Sequence, residues 1–203
     1  MGKCKTSLKC SKMNTLQILH LSYFNKVEYK PVEFDGLKTN KKGFIIMIIE
    51  YSPNYNEQIK DLLVELQQYL SDIDKEGYNI VGDDYREKYF EKTMEEVKKC
   101  NGKILLFKDN EKIVGLVVGI VNNDEVIRYD FKAPKRGRIT ELVVAKEYRG
   151  KHVGEKLLES MRDYLKSIGC EKIMIAVFGY NENAINFYEK NGYHMRMIDM
   201  IED

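Results

Sequence analysis

The most informative part of the sequence is I-T-E-L-V-V-A-K-E-Y-R-G-K-H-V-G-E-K-L-L, residues 139–158. Its apolar beginning is typical of a buried strand and its end of a helix, with a turn rich in glycine and cations between them. The first amides of a helix lack internal hydrogen-bond partners, and the helix dipole is positive there. Gly150 and Gly154 let a ligand approach the backbone, while Arg149 and Lys151 add positive charge. The spacing predicts either a cradle for phosphate or pyrophosphate or an ordinary turn with solvated cations.

Strands and helices alternate outward from this stretch. A tight turn at Asp109-Asn110 favours antiparallel pairing in the first half, whereas strand–helix alternation in the second half favours parallel pairing. An α/β (α+β) fold satisfies both, with three α/β/α layers around a mixed sheet of about six to seven strands. The predicted strands are 44–50, 103–108, 112–121, 138–145, 172–177 and 193–200, and the predicted helices lie around 59–70, 84–99, 153–168 and 182–190.

Composition excludes several classes of protein. Apolar residues form 43% of the 203, enough for a buried core, and 33 basic against 32 acidic residues give a net charge of +1. That balance argues against nucleic acid as a partner, and no apolar run approaches the about 20 residues of a membrane span. Four scattered cysteines without C-x-x-C and three histidines without H-E-x-x-H predict neither a disulfide framework nor a metal site. We expect a cytoplasmic monomer or homodimer.

The first 43 residues differ from the rest. They hold nine lysines and three acidic residues, a net charge of +6, and show no clear hydrophobic period. We expect a basic, poorly ordered N-terminal extension at 1–43 and a folded domain at 44–203. Lys41-Lys42-Gly43 requires purine-rich codons shortly before Met47, as a bacterial ribosome-binding site would, so the alternative is that translation begins at Met47.

Two blocks resemble signatures of the GCN5-related N-acetyltransferase (GNAT) superfamily. R-G-K-H-V-G at 149–154 is similar to R/Q-x-x-G-x-G/A, and N-E-N-A-I-N-F-Y-E-K-N-G-Y at 181–193 is similar to N-x-x-A-x-x-F-Y-E-K-x-G-F/Y. One helix and one strand separate the blocks, as in the family, and the order of elements matches over 44–203. His152 departs from the signature, which usually has glycine there. If this position needs a positive φ, histidine carries a conformational cost.

The resemblance implies direct transfer of an acetyl group from acetyl-CoA, the co-substrate, to a primary amine, without a metal. The strand residues 142–145 would pair with the pantetheine arm, one amide polarising the thioester carbonyl, and residues 149–154 would hold the pyrophosphate. Asn181 would contact the pantetheine, and Tyr188 would lie near the sulfur as an acid. The implied cofactor-binding residues are Leu142, Val143, Val144, Ala145, Arg149, Gly150, Lys151, His152, Val153, Gly154, Asn181 and Ala184.

Such chemistry requires a base independently of the resemblance, because a lysine-like amine has a pKa of about 10.4 and is almost wholly protonated at neutral pH. Glu141 is the best-placed carboxylate, since strand alternation puts it on the face of Val143 just before the cradle. Each candidate also has a plainer interpretation. Glu141 suits a solvated strand face, Asn181 suits a helix N-cap, and Tyr188 suits the core.

The expected function is therefore an N-acetyltransferase with an unidentified amine acceptor. Two other functions use the same cradle: a coenzyme-A-binding sensor without catalysis, and a generic nucleotide-binding domain. Acidic residues cluster between the first two predicted helices and favour a cationic acceptor, either a small molecule or a peptide. They are Asp72, Asp74, Glu76, Asp83 and Asp84.

Overall fold

The computed structural model describes residues 46–122 and 134–202, and the predicted extension at 1–43 lies outside them. Five strands and four α-helices alternate within the described residues. In chain order they are β1 (Ile46–Glu50), α1 (Asn56–Ile73), α2 (Tyr85–Lys99), β2 (Lys103–Asp109), β3 (Lys112–Asn122), β4 (Arg136–Val144), α3 (Val153–Ser167), β5 (Lys172–Ile175) and α4 (Glu182–Lys190).

The five strands form one mixed sheet in the order β1-β2-β3-β4-β5. The first four pair antiparallel, and β4 pairs with β5 in parallel. The parallel pair requires a crossover, which α3 supplies across one face of the sheet. Both the antiparallel first half and the parallel second half confirm the predicted mixed sheet.

Helices cover both faces of the sheet. One face packs against α1 and α2, with Ile59, Leu63 and Phe90 buried there. The other face packs against α3 through Leu157, Leu158, Met161 and Leu165, and α4 adds Phe187 and Tyr188 to the same cluster. Close contact of α3 needs a residue without a side chain, since a Cβ at Gly119 would lie 2.3 Å from the Met161 sulfur. The predicted three-layer α/β/α fold is therefore confirmed.

The strand count is the main correction. Six to seven strands are predicted, but the described residues contain five, and the segment predicted as the last strand, 193–200, forms none. Alternating apolar residues favour a strand only where a neighbouring strand supplies hydrogen bonds and a covered face. Residues after Tyr193 have no such neighbour among the described residues. Several apolar side chains there are exposed: Met195, Met197, Ile198, Met200 and Ile201.

The described residues contain neither a membrane-spanning helix nor a cluster of metal-ligating side chains. None of the helices in 46–122 and 134–202 combines the length and apolar character that crossing a membrane requires. Over the same residues, no three His, Cys, Asp or Glu side chains gather closely enough to hold a metal ion.

Candidate active site

The candidate site is the gap between β4 and β5 that forms where the two strands stop pairing. We call this gap the opening. The two strands pair only from Arg136 to Ile139 of β4, while β4 itself continues to Val144. On the other edge of β4, the Ala145 amide donates to the Val114 carbonyl at 2.9 Å. Because backbone amides alternate in direction along a strand, the amides of Leu142 and Val144 point away from β3, towards the opening. Of the four predicted strand residues, these two present free-edge amides, and Ala145 does not.

A β-bulge at Thr140 lies at the same place. Val118 pairs with Glu141 and Gly119 pairs with Ile139, so Thr140 is an extra residue in β4. Ile139 packs in the cluster on the α3 face, and uninterrupted alternation would put Glu141 on that face too. The extra residue shifts the alternation, and Glu141 instead faces α2. The bulge therefore determines the direction in which this carboxylate points.

Glu141 is half-buried on its strand. Burial raises the pKa of its carboxyl from 4.5 to about 7, although a hydrogen bond from Tyr89 and the charge of Lys92 oppose the rise. The Tyr89 hydroxyl donates to Glu141 Oε1 at 2.5 Å. A carboxyl that titrates near neutral pH can exchange protons with a ligand under ordinary conditions. The carboxyl of Glu141 is therefore only partly solvated, and its role as a base stays a prediction.

Tyr188 lies on α4 and packs edge-on against two aromatic rings, Phe187 at 5.2 Å and Tyr193 at 5.8 Å between centroids. Burial, followed by Tyr193 and the negative charge of Glu141, raises the pKa of Tyr188 well above its ordinary value. The influence of Glu141 places the two groups within electrostatic range, and Tyr188 keeps its proton at neutral pH. The packing interpretation of Tyr188 and a role as proton donor are compatible.

Unsatisfied polar atoms occur beside both groups. Thr140 Oγ1 and Tyr193 Oη are buried and have no hydrogen-bond partner among the residues that the structure describes. A buried hydroxyl without a partner is uncommon, because it loses hydrogen bonds to water and gains none. The open edge of β4, with its outward amides, is itself suitable for a ligand rich in amides and carbonyls, as pantetheine is.

The predicted cradle has the backbone geometry of an anion site. Gly150 and His152 both have positive φ, +73° and +61°, and His152 immediately precedes α3. The first helical hydrogen bond runs from the Lys156 amide to the His152 carbonyl, which leaves the preceding amides of the first turn without helical partners. Histidine therefore stands at a position that favours glycine, as the departure from the signature suggests. It adopts the positive φ at some conformational cost.

Gly154 serves packing as well as access. A Cβ at this position would lie 3.4 Å from the Phe187 ring and 3.6 Å from a Val144 methyl group. Both are ordinary contact distances, so one methyl group would fit and a branched side chain would not. The start of α3 therefore lies close to α4 and to the end of β4, with room for alanine at position 154.

The side chain of Arg149 does not extend into the cradle. Its Nε donates to the Val144 carbonyl and its guanidinium pairs with Glu65 of α1, each at 2.9 Å. Glu65 also accepts from the Lys146 amide at 3.2 Å. This set of contacts fixes the turn after β4 against α1. An open cleft of about 730 Å³ adjoins it, lined by Asp61, Val64, Glu65, Gln68, Tyr69, Asp72, Arg86, Lys146 and Arg149.

Asn181 caps α4, and so matches its plainer interpretation. Its Oδ1 accepts from the Ala184 amide at 3.1 Å and from the Tyr69 hydroxyl at 3.2 Å. Because the oxygen has two partners, the carboxamide nitrogen is the atom that can donate to a ligand carbonyl. The predicted contact with pantetheine and the cap can therefore coexist.

The acidic set does not form one binding surface. The carboxylate of Asp74 accepts from the amides of Glu76 and Asn79 and from the Asn79 side chain, at 2.7–3.0 Å, so it folds its own loop. Asp84 pairs with Lys88 along the start of α2. Asp72 alone of the five lines the cleft. The expectation of a cationic acceptor therefore loses this support.

Sequence reasoning did not predict three site residues: Glu65, Tyr69 and Tyr89. Tyr89 precedes Phe90 on the buried face of α2, where an aromatic residue indicates core packing. Its contact with Glu141 spans 52 positions, and spacing within one helix contains no information about such a partner.

Comparisons with known proteins find relatives in sequence and in fold. N-alpha-acetyltransferase 30 of Schizosaccharomyces pombe is 29% identical over 149 residues, which cover 73% of this chain and 84% of the relative. The F44R mutant of the BH1408 protein from Bacillus halodurans has a similar fold, with a TM-score of 0.68, 21% identity and coverage of 77% of this chain and 98% of that one. Aminoglycoside N-acetyltransferase AAC(6')-Iy, solved with CoA, gives a TM-score of 0.62 at 12% identity, with coverage of 81% and 98%.

A family model describes the same part of the chain. The model named "Acetyltransferase (GNAT) family" matches residues 65–193, from the middle of α1 to the end of the second signature block. That range includes β4 with its bulge, the cradle and α4. The matched range exceeds half of the chain and agrees with the resemblance first seen in the two blocks. The protein belongs to the GNAT family of acetyltransferases and is an acetyl-CoA-dependent acyltransferase.

Proposed function

We propose that this chain transfers the acetyl group of acetyl-CoA directly to a primary amine, with Glu141 as general base and Tyr188 as proton donor. The observation that carries the proposal is the half-buried carboxyl of Glu141 beside the open end of β4, with a pKa of about 7. A general base works best when its pKa lies near the operating pH. The bulge directs this group towards the helices α1 and α2, away from the face that α3 covers.

The backbone of the opening fits the co-substrate. When bound, acetyl-CoA supplies a thioester, an activated acyl group that an amine can attack. The outward amides of Leu142 and Val144 would hold the pantetheine arm, with the Asn181 carboxamide as a further donor. The amides at the start of α3 would hold the pyrophosphate, while Arg149 acts indirectly by fixing the turn to α1.

Glu141 would take the proton that the acceptor amine must lose. Transfer to a carboxylate with a pKa near 7 is only slightly uphill from an α-amine, whose pKa is about 7.7–8.0, and strongly uphill from a lysine amine at about 10.4. The site therefore favours a weakly basic amine. The relative named N-alpha-acetyltransferase 30 supports the α-amine of a peptide as the first acceptor to test.

Tyr188 would hold a proton at its hydroxyl until the leaving group needs one. Its raised pKa keeps the phenol neutral through the working pH range, so it acts as a hydrogen-bond donor and not as a base. The donor is rigid, because the ring is held between Phe187 and Tyr193. Such a preorganised donor can stabilise developing negative charge without reorganisation.

A thiol-release assay with acetyl-CoA tests the proposal. The acceptors are a peptide with a free α-amine, the same peptide blocked at its N-terminus but containing a lysine, and an amino sugar. We expect release only with an amine present, fastest for the weakly basic amines, and a loss of about 10²–10⁴-fold in Glu141→Gln. Glu91→Gln, an exposed change on α2, is the control. Binding of CoA without release for any amine would instead indicate the sensor.

A further inference from the structure

Tyr89 contacts the proposed base, Glu141, directly, although it has no assigned role in the acetyl transfer. Its hydroxyl lies 2.5 Å from Glu141 Oε1, a contact between α2 and β4. Two further contacts hold Tyr89 in place. The ring of Tyr85, one turn earlier, stacks on it with centroids 4.7 Å apart and planes 15° apart, and the buried Thr93 donates to the Tyr89 carbonyl one turn later, at 2.8 Å. The phenol is therefore a fixed donor aimed at one carboxylate oxygen.

We propose that Tyr89 is the positioning residue of the general base, fixing the Glu141 carboxylate through Oε1 so that Oε2 faces the acceptor amine. The proposal rests on the proposed role of Glu141. A carboxylate on a two-carbon side chain can rotate, and a hydrogen bond to one of its oxygens restricts that rotation. Hydrogen bonds to a charged oxygen are also stronger than those between neutral groups. Tyr89 does not touch the reacting atoms and acts through Glu141.

The charges around Glu141 define what Tyr89 contributes. Helix α2 presents Tyr85, Tyr89, Lys92 and Glu96, and α4 presents Tyr188. Burial raises the pKa of Glu141, Glu96 adds to the rise, and Tyr89 and Lys92 oppose it. Burial and the charge of Glu141 in turn raise the pKa of Tyr89, so this phenol stays protonated and remains a donor wherever Glu141 titrates.

Removal of the hydroxyl gives a prediction with a definite sign. In Tyr89→Phe the charged form of Glu141 loses a donor, the pKa of Glu141 rises further, and less of the base form exists at any given pH. The acid limb of the profile of log kcat/KM against pH should move to higher pH by about one unit, a loss of about tenfold below the limb. At pH values above the limb, where Glu141 is deprotonated in both proteins, the loss of kcat/KM in Tyr89→Phe should be smaller. If Tyr89 contributed only packing, Tyr89→Phe would lower kcat/KM equally at every pH.

The experiment compares four proteins: wild type, Tyr89→Phe, Glu141→Gln and the double variant, each assayed from pH 5.5 to 9.5. We expect the limb near pH 7 to shift in Tyr89→Phe and to vanish in Glu141→Gln, which should keep only the limb of the acceptor α-amine at about pH 7.7–8.0. The double variant should match Glu141→Gln. A limb near pH 7 that is absent from Glu141→Gln but unmoved in Tyr89→Phe overturns the role of Tyr89 alone. A limb near pH 7 that persists in Glu141→Gln overturns Glu141 as the base, and the role of Tyr89 with it.

Two further variants control the interpretation. Tyr51→Phe also removes a tyrosine hydroxyl, one that donates to Asn56 Oδ1 at 2.9 Å, and it should leave the limb where it is. Replacement of Tyr89 by 3-fluorotyrosine keeps the size of the ring and strengthens the donor, so the limb should move to lower pH. This second change keeps the test decisive if Tyr89→Phe folds poorly. A shift in the same direction for both replacements of Tyr89 would overturn the proposal.

Discussion

The half-buried carboxyl of Glu141 should reduce the stability of the folded protein at neutral pH. Folding raises its pKa from 4.5 to about 7, so the folded state binds this proton more tightly than the unfolded state. The contribution of Glu141 to stability is then most favourable below pH 4.5 and is lost as the pH rises through 7. At 1.36 kcal/mol per pH unit, the loss is about 3 kcal/mol above pH 7. Glutamine keeps the shape and the acceptor for Tyr89 without the charge.

Urea unfolding of Glu141→Gln and wild type at pH 4.5 and pH 8 measures this cost. The two proteins should have nearly equal free energies of unfolding at pH 4.5, and the variant should be more stable by up to about 3 kcal/mol at pH 8, although it is the less active enzyme. Glu91→Gln should change stability by no more than about 0.5 kcal/mol at either pH. If Glu141→Gln gained no free energy of unfolding over wild type, or gained the same amount at both pH values, the carboxylate would not be desolvated.

Three other changes test separate parts of the site. Tyr188→Phe should lower the single-turnover rate by about 10²-fold with little change in the KM for acetyl-CoA, and a rate within twofold of wild type would leave Tyr188 as a packing residue. Gly154→Ala should bind acetyl-CoA normally in calorimetry. Gly154→Val should bind it at least about tenfold more weakly, because the two methyl groups of valine would meet Phe187 and Val144. Equal affinities of the two variants would contradict that packing. A chain beginning at Met47 should fold and keep full activity, and its aggregation would show that residues before 47 cover part of the domain.

Local patterns predict the parts of this protein that depend on neighbouring residues. The strand, turn and helix of 139–158 follow from apolar runs and glycine positions, and the observed bounds of β4 and α3 differ from the prediction by at most two residues. The positive φ of His152 follows from the glycine expected there. The sequence suits a helix N-cap at Asn181, and its side chain makes that hydrogen bond. In each case the physical cause lies within a few residues along the chain.

Features that depend on distant partners are the ones sequence reasoning missed. The segment after Tyr193 has the pattern of a strand but no neighbouring strand among the described residues. Arg149 has the charge for a phosphate contact, but Glu65, 84 positions earlier, pairs with it. The sequence indicates a core aromatic at Tyr89, but in the fold its hydroxyl contacts Glu141 of β4. Charge and hydrophobicity are properties of single residues, whereas these contacts depend on the packing of α1 and α2 on the sheet.

The bulge at Thr140 absorbs one residue of β4, so Glu141 has the direction that it would have in a strand one residue shorter. Substitution of Thr140 leaves the number of residues unchanged, so it should leave the direction of Glu141 unchanged. Deletion of Thr140 would remove the bulge and make Ile139 and Glu141 direct neighbours on opposite faces, with Glu141 still facing α2. An alignment of relatives that places a gap here is therefore compatible with a base at the same glutamate.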